Sequence, residues 1–309
     1  MKKLNFLVGL ITTENDYQAE QARAAEEAAQ RLGVGVKVVY ADSDAINQSQ
    51  QLLKVVQASS ERPDAIIFEP VGGTALPHVA RAATAAGIAW VVLHREAEYV
   101  KELRRTSNVP IFSLSTNHLE VGRIQGQQLA AFVPKDGTAL YIQGPTTTAA
   151  ARHRSLGIEQ TKPAGIKLIN FKANWTEESS YKAICSWIKL STSKKTPIDM
   201  IMAQNDDMAM GARKAIQDHA DADVKDKWLS LPFSGCDGVP KTGQAFVRSG
   251  LLAATVVTPP GTGPAMDMLV QALRTGTQPA EFVLIPPVSF PPIGQLSSKS
   301  FAHNEVPAR

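Results

Sequence analysis

The chain has 309 residues, 44% of them hydrophobic and 20% charged, with a formal net charge of +3. That length suits two domains of about 150 residues with sizeable cores. The small charge rests on scattered basic residues and short pairs such as Lys194-Lys195 and Arg104-Arg105, so nothing draws the chain toward nucleic acid. No run approaches the ~18 apolar residues of a membrane span. The two cysteines, Cys185 and Cys236, form no CxxC pair, which argues against a zinc site and leaves a single disulfide or two idle thiols.

The opening MKKLNFLVGLITTENDY has the two lysines and apolar stretch of a signal peptide. It lacks a small-residue cleavage site and runs into acidic and polar residues. Leu4–Ile11 is therefore expected to be a first buried strand. On this reading the chain as given is soluble and carries no export signal of its own, as a mature domain or a cytosolic protein.

Apolar runs then alternate with helical patterns. After the first run, Ala22, Ala25, Ala29 and Leu32 share one helical face. Val34–Tyr40 is the next run, with a helix near Ala45–Ser59. Asp64–Pro70 follows, then a helix near Thr74–Ala86 closed by Gly87. Ile88–Arg95 is the fourth run. The pattern restarts near residue 115. Gly137–Gly144, Ile166–Asn174, Ile198–Asn205 and Trp228–Asp237 are runs, each followed by a helical stretch. Leu251–Pro260 adds a strand and Ala265–Thr275 a helix. EFVLIPPVSF supplies a last extended piece.

Short apolar runs without alternation imply strands buried on both faces, and strands alternating with helices imply parallel sheets. The expected architecture is α/β with two doubly wound parallel-sheet lobes; if the last strand and helix return to the first lobe, the division is residues 1–114 plus 258–290 and residues 115–257. Residues 291–309 are expected to be a loose tail.

In open parallel sheets, ligands bind beyond the carboxyl ends of the strands. Those ends carry Thr12, Thr13, Glu14, Asn15 and Tyr17, then His94 and Arg95. In the second half they carry Arg152 and Arg154, Asn174 and Trp175, Asn205 to Asp207, and Asp237. Taken singly, a ring here is more often core and an arginine more often paired to a nearby acid. Together they are the bidentate donors, acceptors and flat apolar faces that a polyhydroxylated ring needs.

Other chemistries fit worse. The first turn, ITTENDYQ, has no GxGxxG, and the chain holds no GxxxxGK[ST], GxSxG or HExxH. Asp206 and Asp207 have the composition of an acid pair, but sequence neighbours point in different directions. Asp206 is better placed as the N-cap of the following helix. Neither a catalytic residue, a metal nor a cofactor is expected.

AQNDDMAMGA (Ala203–Ala212) resembles the signature of type 1 periplasmic sugar-binding proteins, the ribose-binding group. TAAARHRSLG, FSGCDGVPKTG, LAATVVTPP and EPVGGTALPHVARAATAAGI are similar to further stretches of that family, so the resemblance spans roughly residues 4 to 290. The effector domain of the lactose-repressor family shares the fold, so the resemblance does not separate the two.

It implies two lobes joined by three crossovers as a multi-strand hinge, closing on a sugar or sugar-like polyol in the cleft. The matching pocket positions are Asn15, Tyr17, His94 and Arg95 on the first lobe, Arg154, Trp175, Asn205 and Asp237 on the second, and Thr258 near the hinge. Tyr17 and Trp175 would sandwich the ring, and Arg95, Arg154, Asn205 and Asp237 would bond its hydroxyls. The implied partner is a membrane transporter permease or receptor, the implied place the periplasm or cell envelope, and a monomer is expected.

Three positions depart from the ribose-type pattern. His94 replaces an acid, Gln18 follows Tyr17 where a second ring is usual, and Thr258 holds the place of a glutamine. A buried hydroxyl without a partner costs about 1–3 kcal/mol, so neither ribose nor galactose carries over as ligand. Glu14 and Glu69 are candidates for the replacement acceptor.

Two other readings stay open. An intracellular effector sensor is favoured by the lack of a signal peptide and opposed by the lack of a helix-turn-helix ahead of Leu4. An enzyme acting on a sugar or nucleotide is opposed by the lack of a nucleophile–base pair or phosphate loop.

Overall fold

A computed structural model describes residues 3–72 and 75–297. The chain forms two compact units: Met1–Thr116 with Pro259–Ile285, and Asn117–Thr258 with the chain from Pro286 onward. It passes from one unit to the other three times, after Thr116, Thr258 and Ile285.

Unit 1 begins as β1 (Asn5–Leu10), α1 (Asp16–Leu32), β2 (Gly35–Tyr40), α2 (Ala45–Gln57) and β3 (Ala65–Phe68). It continues as α3 (Pro77–Ala85), β4 (Ala89–Leu93), α4 (Tyr99–Thr106) and β5 (Ile111–Thr116). Alternate residues of each strand feed opposite cores, because successive side chains point to opposite faces. Val8, Leu10, Ile67, Val91 and Leu93 pack with Ala25 and Ala29 of α1. Leu7, Ile66, Phe68, Trp90 and Val92 pack with Leu52, Val79 and Leu103 of α2, α3 and α4. This is why β3 and β4 read as unbroken apolar runs, and every residue of both is buried.

The helical pattern expected from Thr74 begins at Pro77, at the first helical position, where its missing N–H costs nothing. Neither α4 nor β5 stands out as an apolar run. The first is short and charged, and the second, IFSLST, carries Ser113, Ser115 and Thr116 in buried positions.

Unit 2 runs α5 (His118–Phe132), β6 (Thr138–Gln143), α6 (Ala149–Thr161), β7 (Lys167–Lys172), α7 (Glu177–Ile188) and β8 (Met200–Ala203). It continues through α8 (Asp206–His219), α9 (Ala222–Leu229), β9 (Phe233–Ser234), α10 (Gly243–Arg248) and β10 (Thr255–Val257). Its parallel sheet has the order β7-β6-β8-β9. The run Trp228–Asp237 is a strand over only two residues. Trp228 belongs to α9, buried against Trp187, and Pro232 offers no N–H to a ladder. The edge strand β7 is half-exposed and not buried on both faces.

The chain then returns to unit 1 as α11 (Thr262–Thr275) and β11 (Phe282–Ile285). The unit 1 sheet thereby has the order β11-β5-β4-β3-β1-β2, parallel throughout. EFVLIPPVSF is not one extended piece. β11 pairs with β5 in unit 1, whereas β12 (Val288–Phe290) pairs antiparallel with β10 in unit 2. The break falls at Pro286-Pro287, where two donors are missing. Of the expected tail, residues 298–309 lie outside the described residues.

Candidate functional site

The carboxyl ends of the unit 1 strands carry a frame of buried glutamines. Asn15 caps α1, its Oδ1 accepting from the N–H groups of Tyr17 and Gln18. That cap sets the first turn, from which Tyr17 and Gln18 project. The Tyr17 hydroxyl donates to the Pro259 carbonyl at 3.4 Å, and its ring meets His94 edge-on at 5.5 Å between centroids. Gln18 accepts from Ile11 N–H at 2.9 Å and donates to Glu69 Oε2 at 2.7 Å. Gln48 donates to the Glu69 carbonyl and accepts from Val71 N–H.

Gln21 fixes His94. Its Oε1 accepts from Thr262 N–H at 3.0 Å, so its Nε2 is the donor, 2.6 Å from His94 Nε2. His94 Nε2 therefore accepts, which puts the proton of the neutral ring on Nδ1. The 3.8 Å approach of Glu69 Oε2 to the same nitrogen is not an ion pair in that state. His94 holds a left-handed φ of 61°, unusual outside glycine.

Arg95 is half-buried, and its Nε has no hydrogen-bond partner among the described residues. Burial draws its pKa down, opposed by the nearby negative charge of Glu69 and by Tyr99. A desolvated guanidinium beside a carboxylate is a strong donor for an oxygen-rich ligand.

In unit 2, Arg154 is 5% exposed. Its guanidinium donates to the Gln204 carbonyl, stands 3.6 Å from Asp237 Oδ1 and lies over the Trp175 ring at 5.4 Å. Trp175 is half-buried with φ 65°, and its ring lies so close to Gly144 that a Cβ there would sit 2.3 Å from it. Gln204, fully buried, accepts from Gly144 N–H and donates to Tyr141, Ala151 and Ser155. It joins the end of β6 to that of β8.

The structure corrects the expected cap of α8. Asn205 is the N-cap, its Oδ1 accepting from Met208 N–H at 2.9 Å, and its Nδ2 donates to the Trp175 carbonyl at 2.9 Å. Asp206 lies one residue inside the helix and is buried. It accepts from Gly238 N–H at 2.8 Å and the Thr255 hydroxyl at 2.7 Å. The extended φ and ψ of Asn205 suit a cap, and helical geometry turns the next side chain inward. Burial pushes the Asp206 carboxyl well above its usual pKa. The charge of Asp237 adds to this, and the Thr255 and Gly238 hydrogen bonds oppose it.

Asp237 is held at φ 101° in the turn that Asp206 anchors through Gly238. Thr258, 3% exposed, donates through both N–H and hydroxyl to the Asp237 carbonyl, at 3.0 and 3.5 Å. Cys185 and Cys236 are buried free thiols, so the single disulfide does not form.

Within unit 1 the structure thus gathers Asn15, Tyr17, His94 and Arg95. Within unit 2 it gathers Arg154, Trp175, Asn205, Asp237 and Thr258. The roles of Gln21, Gln48 and Gln204 are not legible in the sequence. Their only signal is an amide at a position that should be apolar.

Known proteins resemble this arrangement over almost its whole length. Residues 6–278 match the model of the periplasmic binding protein domain. The galactofuranose-binding protein YtfQ of Escherichia coli (strain K12) is 27% identical, over 89% of this chain and 83% of that one. The ribose import binding protein RbsB of the same strain is 24% identical, over 84% and 81%. A periplasmic solute-binding protein of an Actinobacillus succinogenes ABC transporter, solved with bound D-allose, superposes with a TM-score of 0.78 at 20% identity, covering 97% of this chain and 99% of that one. A crystal structure of a galactofuranose-binding protein superposes with a TM-score of 0.75 at 22% identity, covering 96% of each. The chain therefore belongs to the periplasmic binding protein family and has the fold of its type 1 members.

Proposed function

We propose that this protein is a non-enzymatic binding protein for a sugar or sugar-like polyol, serving a membrane transporter or receptor. The observation that carries the reading is in unit 2. A buried arginine, a carboxylate and an indole face meet beyond the ends of β6, β9 and β7, held by Gln204 and Asn205 after β8. Guanidinium and carboxylate satisfy neighbouring hydroxyls, and the indole covers the C–H face of a ring.

The relatives support the class. Beside galactofuranose and ribose, their names include D-apiose import and xylitol binding, and one neighbour was solved with myo-inositol. The residues we assign to the ligand are Asn15, Tyr17, His94, Arg95, Arg154, Trp175, Asn205, Asp237 and Thr258. A static role is supported by the fixed hydrogen bonds that tie Asn15, Tyr17, Asn205 and Thr258 to their own units. The family name supports a place in the periplasm or cell envelope, and one chain acting as a monomer suffices for the reading.

The test is calorimetric titration with D-ribose, L-arabinose, D-allose, myo-inositol and xylitol. At least one should bind near the micromolar range, about −8 kcal/mol. Trp175→Ala should weaken it at least tenfold. If no sugar or polyol binds, or the variant binds equally well, the assignment is wrong.

A further inference from the structure

We propose that Glu69 is a specificity-determining residue of unit 1, presenting a fixed carboxylate to a hydroxyl of the ligand. The inference rests on the sugar-binding reading above and adds a residue to it. Glu69 follows β3 directly, and β3 lies between β1 and β4 in the sheet. The carboxylate thus stands at the centre of the strand ends, with His94 and Arg95 at the end of the next strand.

Its position is over-determined. Glu69 N–H donates to the Gly9 carbonyl at 2.9 Å, Gln48 donates to its carbonyl at 2.7 Å, and Gln18 donates to Oε2 at 2.7 Å. Gln18 is itself oriented by Ile11 N–H. Gln18 and Gln48 are 5% and 1% exposed, so neither amide turns freely in water.

Only one carboxylate oxygen is used. Oε1 accepts no hydrogen bond from any described residue, and the side chain keeps 14% of its surface open. Holding a carboxylate this firmly while leaving an oxygen unused has little structural return. A surface acid would simply be solvated. For recognition it is what is needed: a pre-oriented acceptor loses little entropy when a hydroxyl arrives.

The neighbouring side chains complete the arrangement. His94, at the end of β4, has its Nε2 occupied as an acceptor from Gln21. Gln18, in the first turn of α1, holds the acid that follows β3. The ligand class that fits is a neutral polyol whose ring directs a hydroxyl, and not a C–H, at Glu69.

The experiment compares wild type with Glu69→Gln by titration calorimetry against D-ribose with 2-deoxy-D-ribose and myo-inositol with its monodeoxy derivatives, beside unliganded melting curves. Glutamine keeps an oxygen for Gln18 but turns Oε1 into a donor. The expected result is an unchanged melting temperature and at least tenfold weaker binding of the preferred polyol. One deoxy derivative that wild type rejects at least tenfold should be accepted by Glu69→Gln within about threefold of the parent.

Should Glu69→Gln fail to fold, Glu69→Asp serves, with binding weakened and the ligand order kept. Equal affinities for all ligands in wild type and variant overturn the role of Glu69 alone. Wild type that binds neither this panel nor L-arabinose, D-allose or xylitol overturns the sugar-binding reading, and this inference with it.

Discussion

The amide of Asn205 accepts from Met208 N–H and donates to the Trp175 carbonyl. Asn205→Ala therefore removes a helix cap and leaves the segment carrying the indole untied. The expected loss is about 1–2 kcal/mol of stability, measured by urea unfolding, with weaker sugar binding. Asn205→Asp should keep most of the cap but lose the donor, so binding falls more than stability. The motif AQNDD marked the end of β8 and the start of α8. It did not say which side chain turned inward, because Asn and Asp are both good caps. Only the backbone angles at 205 decide.

Asp206 gives a pH dependence. Its folded pKa lies well above its usual value of 3.8, chiefly through burial and then through the charge of Asp237. Between 3.8 and the raised value the native state holds a proton that the unfolded chain has lost. Its contribution to stability is therefore full below 3.8 and declines as pH rises through the folded value. Asp206→Asn, isosteric and uncharged, should flatten the fall of unfolding free energy as pH rises from 3.8 through the raised folded value. Parallel curves for the two proteins would contradict this.

At the scale of elements, the packing of α5 against α6 sets where Arg154 sits. Gly122 of α5 and Gly157 of α6 let two backbones touch. A Cβ at Gly157 would meet the Leu119 carbonyl at 2.2 Å, and one at Gly122 would meet the Arg154 carbonyl at 2.0 Å. Gly157→Ala should force the helices apart, costing about 1–3 kcal/mol, and should carry the Arg154 guanidinium away from Asp237 and Trp175. Denaturation and titration of the one variant should both show a loss. A loss of stability with unchanged binding would detach Arg154 from the ligand.

The elements differ in how far they were legible. β3 and β4 announce themselves because both faces are buried and every position is apolar. β9 was overextended because a run that starts in a helix and ends in a turn is apolar for three different reasons. β5 was missed because Ser113, Ser115 and Thr116 are polar residues buried in a strand.

At the scale of the molecule, the two sheets were readable from the repeated alternation, and the last segment was expected to lie as a whole with the first lobe. Its division at Pro286-Pro287 was not expected. Two flanking extended pieces look alike in sequence, and partner choice lies in the register each finds. The division makes the two units depend on different parts of the C-terminal chain. β11 completes the edge of the unit 1 sheet beside β5. β12 gives β10 its antiparallel partner, Ser289 accepts from Gln128 of α5, and Ile293 and Leu296 pack on unit 2 cores. A chain ending at Ile285 keeps the first set and loses the second. Exposed strand N–H groups and uncovered apolar surface are both costly, so the damage should be confined to unit 2. Hydrogen exchange read by mass spectrometry should show faster exchange in β10 and α5, with β4 and β5 protected as in the full chain. Uniform loss of protection would mean that the units do not fold as the separate structures their contacts describe.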